Sequence, residues 1–530
     1  MAEHSFSLRH YSDIRYALLQ RQEIALVDVR EEAYYAEGHP LFAVNIPLSK
    51  LEFEVLNRIP RLATPVTVYD NGEGLAQVAA ARLQAIGYSN VALLAGGLAG
   101  WREAGGEIFI DVNSPSKAFG ELVEARAHTP SLPAQEANAL LQSGEPVVVL
   151  DSRRFDEYQT MSIPGSISVP GAELVLRVRD LAPSPETKII VNCAGRTRSI
   201  IGTQSLVNAG IHNPVYALRN GTIGWTLAGL DLEHQQSRRY KEVSETALVQ
   251  AARSAREVAD RAGVKQITLA ELHALQQQPR TVYLFDVRDA EEYAQGHLPG
   301  SRHVPGGQLV QETDHYASVR GAKIVLIDDK KVRADMSASW LAQMGWDVAV
   351  LDASADDFTA SGDWARVVPP LPAQQEVTPA QLAEWLKAGD TQVLDFTTSA
   401  NYVAAHIPGA AWLQIALLTL TGKTALPEAQ RYVVTCGSSL LASYAVEELS
   451  ALTGKPVFVL KGGNTAWKAL GLPVEQGETR LLQQRDDRYR RPYEGTDNSA
   501  EAMQAYLDWE YGLVAQLDRD GTHGFNVIAP

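Results

Sequence analysis

One pattern occurs four times along this chain of 530 residues and limits what it can fold into. Each copy begins with an apolar run that ends in Asp, and a second apolar run follows after a Pro-containing turn. From that Asp to the residue that closes the second run the spacings are 42, 42, 42 and 41 residues, which are 28 to 70, 151 to 193, 286 to 328 and 395 to 436. Four near-equal spacings indicate four copies of one folding unit.

The order of apolar and amphipathic segments predicts the fold class of each copy. Short β-rich runs alternate with helical patterns such as SIIGTQSLVNAG, and this order is typical of parallel strands joined by helices. The runs lack a clean alternation of polar and apolar residues, as strands buried on both faces should. The chain is therefore predicted to be an α/β protein with helices on both faces of each sheet.

Each copy spans about 100–110 residues, which is the size of a domain rather than of a solenoid repeat. We predict domains at residues 1–110, 125–240, 264–368 and 373–476. A stripe of Val and Ala at helical spacing predicts a linker helix at 241–263, joining domains one and two to domains three and four. Residues 477–530 match no repeat and are predicted to be a helical tail, with an aromatic stripe between Ser499 and Leu517 that suits a docking helix.

Composition excludes several classes of protein. The 47 basic and 63 acidic residues give a net charge of −16, and no basic run suits nucleic acid. No apolar window is long enough to span a membrane, and no signal peptide is recognised. Two cysteines, Cys193 and Cys436, cannot form a disulfide framework or a Cys-rich metal site, so we expect no metal and no cofactor. A cytoplasmic location is predicted, because thiols stay reduced there.

Several short motifs together resemble the rhodanese sulfurtransferase family. They are DVRDAEEYAQGHLPGS in domain three, a Cys that ends a strand before a loop and helix, and Gly-Gly-x-x-x-Trp at Gly96 to Trp101 and Gly462 to Trp467. The resemblance covers residues 10–475. It implies four domains, each a parallel sheet of about five strands flanked by helices, and an activity that moves sulfane sulfur from a donor to the loop Cys and then to an acceptor. It also suggests two tandem rhodaneses fused in one chain.

Cys193 is the predicted nucleophile and persulfide carrier. It lies between a strand and a helix, where backbone N–H groups favour an anion and should lower the pKa of the thiol. Arg196 and Arg198 add positive charge that can bind an oxyanion. The predicted substrate-binding residues are those of the loop, namely Ala194, Gly195, Arg196, Thr197, Arg198 and Ser199. The alternative for Cys193 is a small buried core residue.

Cys436 occupies the equivalent position in domain four, but its loop carries no cation. Its first three residues, Cys-Gly-Ser, look like those of mercaptopyruvate sulfurtransferases. The likeness ends there, and the following Leu440 and Leu441 suit either an apolar donor pocket or a packed, retired site. The sequence thus does not decide whether Cys436 is a second persulfide site.

Domains one and three have Asp70 and Asp328 at the Cys position. A carboxylate cannot form a persulfide, so these domains resemble the inactive halves of tandem rhodaneses. By the same resemblance, domain one is expected to contribute wall residues to the Cys193 site.

Two further sets of polar residues recur in the repeat. Arg153, with its equivalents Arg30 and Arg288, is predicted to form a structural ion pair, with a Glu of the following helix as the suggested partner. His39, His297 and His406 fall in equivalent turns and are predicted to be structural, because metal ligation would need them together.

Thiosulfate sulfurtransferase is the leading functional hypothesis, with a small anionic sulfur donor and cyanide or a thiol as acceptor. The alternatives are a 3-mercaptopyruvate sulfurtransferase and a scaffold that accepts persulfide sulfur from a partner enzyme. Related phosphatases and arsenate reductases use a Cys-x5-Arg loop, whereas Arg198 follows Cys193 by five positions, so the loop here is one residue shorter. A homodimer contact through the tail is also left open.

Overall fold

Four sheets form the framework of the protein. In the computed structural model, which describes residues 5–529, each sheet has five strands, and every paired strand is parallel to its neighbour. Helices flank each sheet, so the predicted α/β fold with four domains is confirmed.

The strands have matching positions in the four domains. Domain one contains β1 (Ser7–Arg9), β2 (Ala25–Asp28), β3 (Ala43–Asn45), β4 (Val66–Tyr69) and β5 (Val91–Leu94). Domain two contains β6 (Ser131–Leu132), β7 (Val147–Asp151), β8 (Ile167–Ser168), β9 (Lys188–Asn192) and β10 (Val215–Leu218). Domain three contains β11 (Lys265–Ile267), β12 (Val282–Asp286), β13 (Arg302–His303), β14 (Lys323–Ile327) and β15 (Asp347–Leu351). Domain four contains β16 (Gln375–Val377), β17 (Thr391–Asp395), β18 (Ala411–Trp412), β19 (Arg431–Thr435) and β20 (Val457–Leu460).

The helices follow the strands in the same way. Domain one has α1 (Tyr11–Leu19), α2 (Glu32–Glu37), α3 (Leu51–Arg58), α4 (Ala76–Ile86) and α5 (Gly97–Glu103), and α6 (Ser114–Ala127) precedes domain two. Domain two has α7 (Ala134–Gln142), α8 (Phe155–Thr160), α9 (Leu174–Leu181), α10 (Thr197–Asn208) and α11 (Gly221–Leu227), and α12 (Glu245–Arg261) is the linker helix. Domain three has α13 (Leu269–Gln276), α14 (Ala290–Gln295), α15 (Gly306–Gln311), α16 (Thr313–Tyr316) and α17 (Val332–Gln343). Domain four has α18 (Pro379–Ala388), α19 (Ser399–Ala404), α20 (Ile415–Thr421), α21 (Leu440–Ser443), α22 (Val446–Thr453) and α23 (Gly463–Ala469), and the tail has α24 (Ala500–Tyr511) and α25 (Leu513–Asp520). Short 3₁₀ turns lie at Leu48–Lys50, Gly171–Glu173, Ala355–Asp357 and Gly422–Ala425.

Strand order explains the repeated spacing. The sheet of domain two runs β6-β10-β9-β7-β8, and the other three sheets have the same order. In register, Asp151 of β7 lies beside Asn192 of β9, and Asp395 of β17 lies beside Thr435 of β19. Cys193 and Cys436 are therefore the first residues beyond the carboxyl end of the central strand, where α/β folds bind ligands.

The chain divides into two compact units. Of the described residues, one unit consists of 5–14, 25–112 and 366–489, which hold domain four and most of domain one. The other consists of 15–24, 113–365 and 490–529, which hold domains two and three and the end of the tail. The predicted pairing followed the chain order, one with two and three with four, so it differs from the pairing within these units.

The linker helix gives the physical reason for that difference. Residues on one face of α12 are buried, as the predicted stripe requires, and they include Ala251, Ala255 and Val258. The helix packs against α9 of domain two and α17 of domain three. Its apolar face thus stabilises the pair formed by domains two and three. Among residues 5–529, no helix combines the length and apolar character that a membrane span requires.

Candidate active site

Cys193 lies in a loop whose backbone is fixed from behind. It follows β9 and precedes α10, and the carbonyls of Cys193 and Ala194 accept hydrogen bonds from the N–H groups of Thr222 (N···O 3.0 Å) and Ile223 (3.1 Å) at the start of α11. Gly221 permits this approach, because its φ is +58° and a Cβ there would lie 2.2 Å from the Cys193 oxygen. The Gly-rich motif before the Trp therefore holds the cysteine loop in place.

The thiol itself is buried, with 2% of Cys193 exposed. Burial raises its pKa, whereas the Arg198 charge and hydrogen bonds from Ser199 act in the opposite direction, and the Glu510 carboxylate adds to the increase. The prediction of a depressed pKa is therefore wrong for this structure, because desolvation outweighs the stabilising groups.

Arg198 is the cation that acts on the thiol. Its guanidinium forms a bidentate ion pair with Glu157, with Nη1–Oε1 and Nη2–Oε2 distances of 2.7 and 3.0 Å. Burial opposes ionisation of Glu157, but Arg198 lowers the pKa of that carboxyl to about 2. The pair holds the guanidinium in one orientation beside the loop.

Two cavities large enough for a small molecule border Arg198. The first has a volume of about 410 Å³, and polar and charged side chains line most of it, among them Arg153, Glu157, Gln311 and Tyr493. The second has a volume of about 370 Å³ and lies between domains two and three, with a more apolar lining that includes Phe155, Tyr240, Val287 and Pro305. Both volumes match pockets for small molecules.

Arg196 is engaged elsewhere. Its Nε donates to Glu121 (N···O 2.6 Å), its Nη2 pairs with Glu124, and its Nη1 donates to the Tyr511 hydroxyl (2.9 Å). The ring of Tyr511 lies 4.1 Å from the guanidinium carbon. The sequence predicted that both arginines act on an oxyanion. In the structure Arg198 pairs with Glu157 and its charge opposes the rise in the pKa of the Cys193 thiol, whereas Arg196 binds α6 and the tail.

The rest of the predicted loop is enclosed. Ala194, Gly195, Thr197 and Ser199 are all buried. The cover includes α24, since a Cβ on Gly195 would lie 3.0 Å from Oε1 of Glu510 and 3.1 Å from Cε1 of Tyr506. The aromatic stripe predicted a docking helix, but nothing in the sequence pattern indicated that it docks on the cysteine loop.

The walls described around this loop belong to one compact unit. They come from α6, from domain three and from the tail, all within residues 113–365 and 490–530. Domain one was predicted to supply wall residues, and none of these walls comes from it.

The loops of domains one and three hold a carboxylate where domain two holds a thiol. Asp70 accepts hydrogen bonds from the N–H groups of Gly72 (3.0 Å) and Leu75 (2.7 Å). Asp328 accepts one from the N–H of Arg333 (2.8 Å) and also forms a buried ion pair with its guanidinium (3.0 Å). In these two domains the loop amides thus face an anion at the cysteine position.

Cys436 has the same backbone support but different surroundings. Its carbonyl accepts a hydrogen bond from the N–H of Asn464 (2.9 Å), and 6% of the residue is exposed. Burial raises the pKa of its thiol, and hydrogen bonds from backbone N–H groups, including that of Leu441, only partly offset this. Cys436 belongs to an apolar cluster with Phe396 and Leu441.

The Asp-x-Arg motif forms an ion pair within itself. The N···O distances are 2.7 Å for Arg30–Asp28, 3.0 Å for Arg153–Asp151 and 2.8 Å for Arg288–Asp286. The structural ion pair is confirmed, but the partner is the motif's Asp rather than the suggested Glu. The turn histidines each stack on a tyrosine, in the pairs Tyr35–His39, Tyr293–His297 and Tyr402–His406, as their structural role predicts.

Comparison with known proteins decides the family. The model of the rhodanese-like domain matches residues 14–104, 133–228, 268–361 and 378–470. The chain belongs to the rhodanese-like family. The four matches fall within the predicted domains, and the predicted resemblance is confirmed.

Solved structures include a relative of the whole chain. A thiosulfate sulfurtransferase from Pseudomonas aeruginosa is 65% identical, with a TM-score of 0.97 over 98% of this chain and 100% of that one. A rhodanese-related protein from Thermoplasma volcanium is 28% identical over 19% of this chain and 97% of its own, with a TM-score of 0.18. A search of curated proteins found no match. This rhodanese-like chain is therefore an enzyme of the sulfurtransferase class.

Proposed function

We propose that the protein moves a sulfane sulfur from thiosulfate to Cys193 and then to cyanide or a thiol. The observation that carries the proposal is the position of the Cys193 thiol, directly beyond β9 at the start of α10, with Arg198 acting on it. The 65% identical relative named as a thiosulfate sulfurtransferase supports the choice of donor.

The reaction has two steps. After Cys193 loses its proton to solvent, its thiolate attacks the outer sulfur of thiosulfate; a new S–S bond forms on Cys193 and the bond to sulfite breaks, so sulfite leaves with its electron pair. In the second step cyanide attacks the outer sulfur of the persulfide, which gives thiocyanate and returns the Cys193 thiolate. Arg198 stabilises the thiolate in the first step and again when it is released.

The two cavities beside Arg198 support a small donor and a small acceptor. Arg198, fixed by Glu157, supplies positive charge for an anionic donor at their common edge. We place the reaction in the cytoplasm, a compartment that suits the two free thiols of this chain.

Replacing each cysteine by serine tests the proposal. In Cys193→Ser we expect thiocyanate formation from thiosulfate and cyanide to fall by at least about 1,000-fold, because the persulfide cannot form. Cys436→Ser is the matched control and should keep most of the activity. Full activity of Cys193→Ser would refute the role of Cys193, and the same assay with mercaptopyruvate distinguishes the alternative donor.

A further inference from the structure

The C-terminal helix α24 covers the face of the Cys193 loop that carries Gly195. An added methyl group would fit there only tightly, since a Cβ on Gly195 would lie 3.0 Å from Oε1 of Glu510 and 3.1 Å from Cε1 of Tyr506. A molecule that approaches the loop from this side therefore meets the side chains of α24 first.

Several contacts fix α24 in this position. Tyr506 and Leu507 form an apolar cluster with Ile223 of α11, the helix that also supports the cysteine loop. At the end of the helix the Tyr511 hydroxyl lies 2.9 Å from Nη1 of Arg196. Burial of Tyr506 and Leu507, together with the Tyr511 hydrogen bond, makes α24 part of the wall of the site rather than a loosely attached tail.

Domain four provides an internal comparison. Gly437 and Ser438, the two residues after Cys436, are exposed, and a Cβ on Gly437 would meet no atom within 4 Å. The corresponding residues after Cys193, Ala194 and Gly195, are buried. The fold itself thus leaves this side of the loop open, and α24 closes it in domain two.

We propose that Tyr506 and Glu510 are specificity-determining residues that restrict Cys193 to low-molecular-weight sulfur donors and acceptors. The inference rests on the proposed function of Cys193 as the sulfur carrier. On the face that α24 covers, a persulfide or thiol on the surface of a folded protein is kept from the loop, whereas the cavities of about 410 and 370 Å³ that border Arg198, five residues after Cys193, have the size of small molecules.

Two mixed disulfides of different size test this restriction on the full-length Cys436→Ser protein. The small probe is glutathione joined to thionitrobenzoate, and the large probe is a folded protein whose surface cysteine carries the same group. In both reactions the Cys193 thiolate attacks the disulfide, forms a new disulfide with the carrier and releases the thionitrobenzoate anion, so one absorbance reports both rates.

We expect the parent protein to react at least about 10-fold more slowly with the large probe than with the small one. Tyr506→Ala combined with Glu510→Ala should remove most of that difference. The matched control, Gln504→Ala combined with Asp508→Ala, changes exposed residues of the same helix and should preserve it. If the double variant does not fold, Tyr506→Leu, which keeps an apolar contact with Ile223, takes its place.

Equal rates of the two probes in the parent protein, or an unchanged ratio after removal of Tyr506 and Glu510, would overturn the inference. The outcome is separate from that of the proposed function, because these reactions need no sulfur donor. A failed thiocyanate assay with a preserved probe ratio would refute the sulfur transfer and leave the steric restriction intact.

Discussion

The cysteine loops of domains two and four have the same place in the fold and opposite surroundings. Both follow the central strand of a sheet, and in both the cysteine carbonyl accepts a hydrogen bond from the helix that begins at the Gly-rich motif. The Cys193 loop is covered by a tail helix and contains Arg198, which borders two cavities, whereas Cys436 lies in an apolar cluster and its loop has no cation. The strand and loop thus position a cysteine, and side chains from other segments decide what it can do.

Backbone conformation separates the two loops as well. Three positions after the cysteine, Ser439 has a φ of +69°, and Lys331, three positions after Asp328, has a φ of +65°. Arg196 at the same position has a φ of −125°. The Cys436 loop thus shares its left-handed residue with the loop of domain three and differs at this position from the Cys193 loop.

Substitution of the motif aspartate in domain two, Asp151, should have the largest effect on stability, and the equivalent Asp395 of domain four provides the comparison. Asp151→Asn should weaken the protection of β7 against hydrogen exchange by about 3–5 kcal/mol, because it leaves the buried Arg153 without its ion-pair partner. Asp395→Asn should cost much less protection in β17, since Asp395 accepts hydrogen bonds from the Thr397 N–H and the Asn464 amide and pairs with no arginine. Equal losses in the two strands would contradict this difference.

The stability of β17 should also depend on pH through Asp395. Burial raises the pKa of Asp395 to about 6 in the folded protein, above its ordinary value of about 3.9. Its contribution to stability is therefore fully present below about pH 3.9 and is lost as the pH rises through about 6. Asp395→Asn should remove this decrease, so the protection of β17 measured at about pH 4 and pH 7 should differ less in the variant than in the parent protein.

Loss of Arg198 should lower activity strongly, although less than loss of Cys193. Arg198→Ala should lower the rate of thiocyanate formation about 100-fold, because it removes the positive charge beside the thiol. Arg198→Lys should recover part of the loss, since it restores the charge but not the bidentate contact with Glu157. Arg219→Ala, which changes an exposed arginine of the same domain, is the control. Parent-like activity of Arg198→Ala would remove Arg198 from the mechanism.

Local sequence signals predicted the fold and the position of the candidate nucleophile. The four near-equal spacings reflect the register of Asp with the residue just before the cysteine position, so a pattern along the chain translated directly into a place at the sheet edge. The alanine face of the linker helix was equally visible, because it depends on spacing within one segment.

Contacts between distant segments were not predictable in this way. Arg196 pairs with Glu121, 75 residues earlier, and Thr197 contacts Glu510, 313 residues later. These contacts bury the loop, and burial reversed the expected direction of the thiol pKa. The pairing of domain two with domain three has the same origin, since the stripe on α12 does not reveal which helices cover it.

Mass analysis of the persulfide tests the central claim most directly. After the full-length protein is incubated with thiosulfate and separated from it, the intact mass should increase by one sulfur atom, and peptide mapping should place that atom on Cys193. Cys436→Ser should gain the same mass, and Cys193→Ser should gain none. Sulfur found on Cys436 alone, or turnover of thiosulfate with no sulfur on Cys193, would contradict the account.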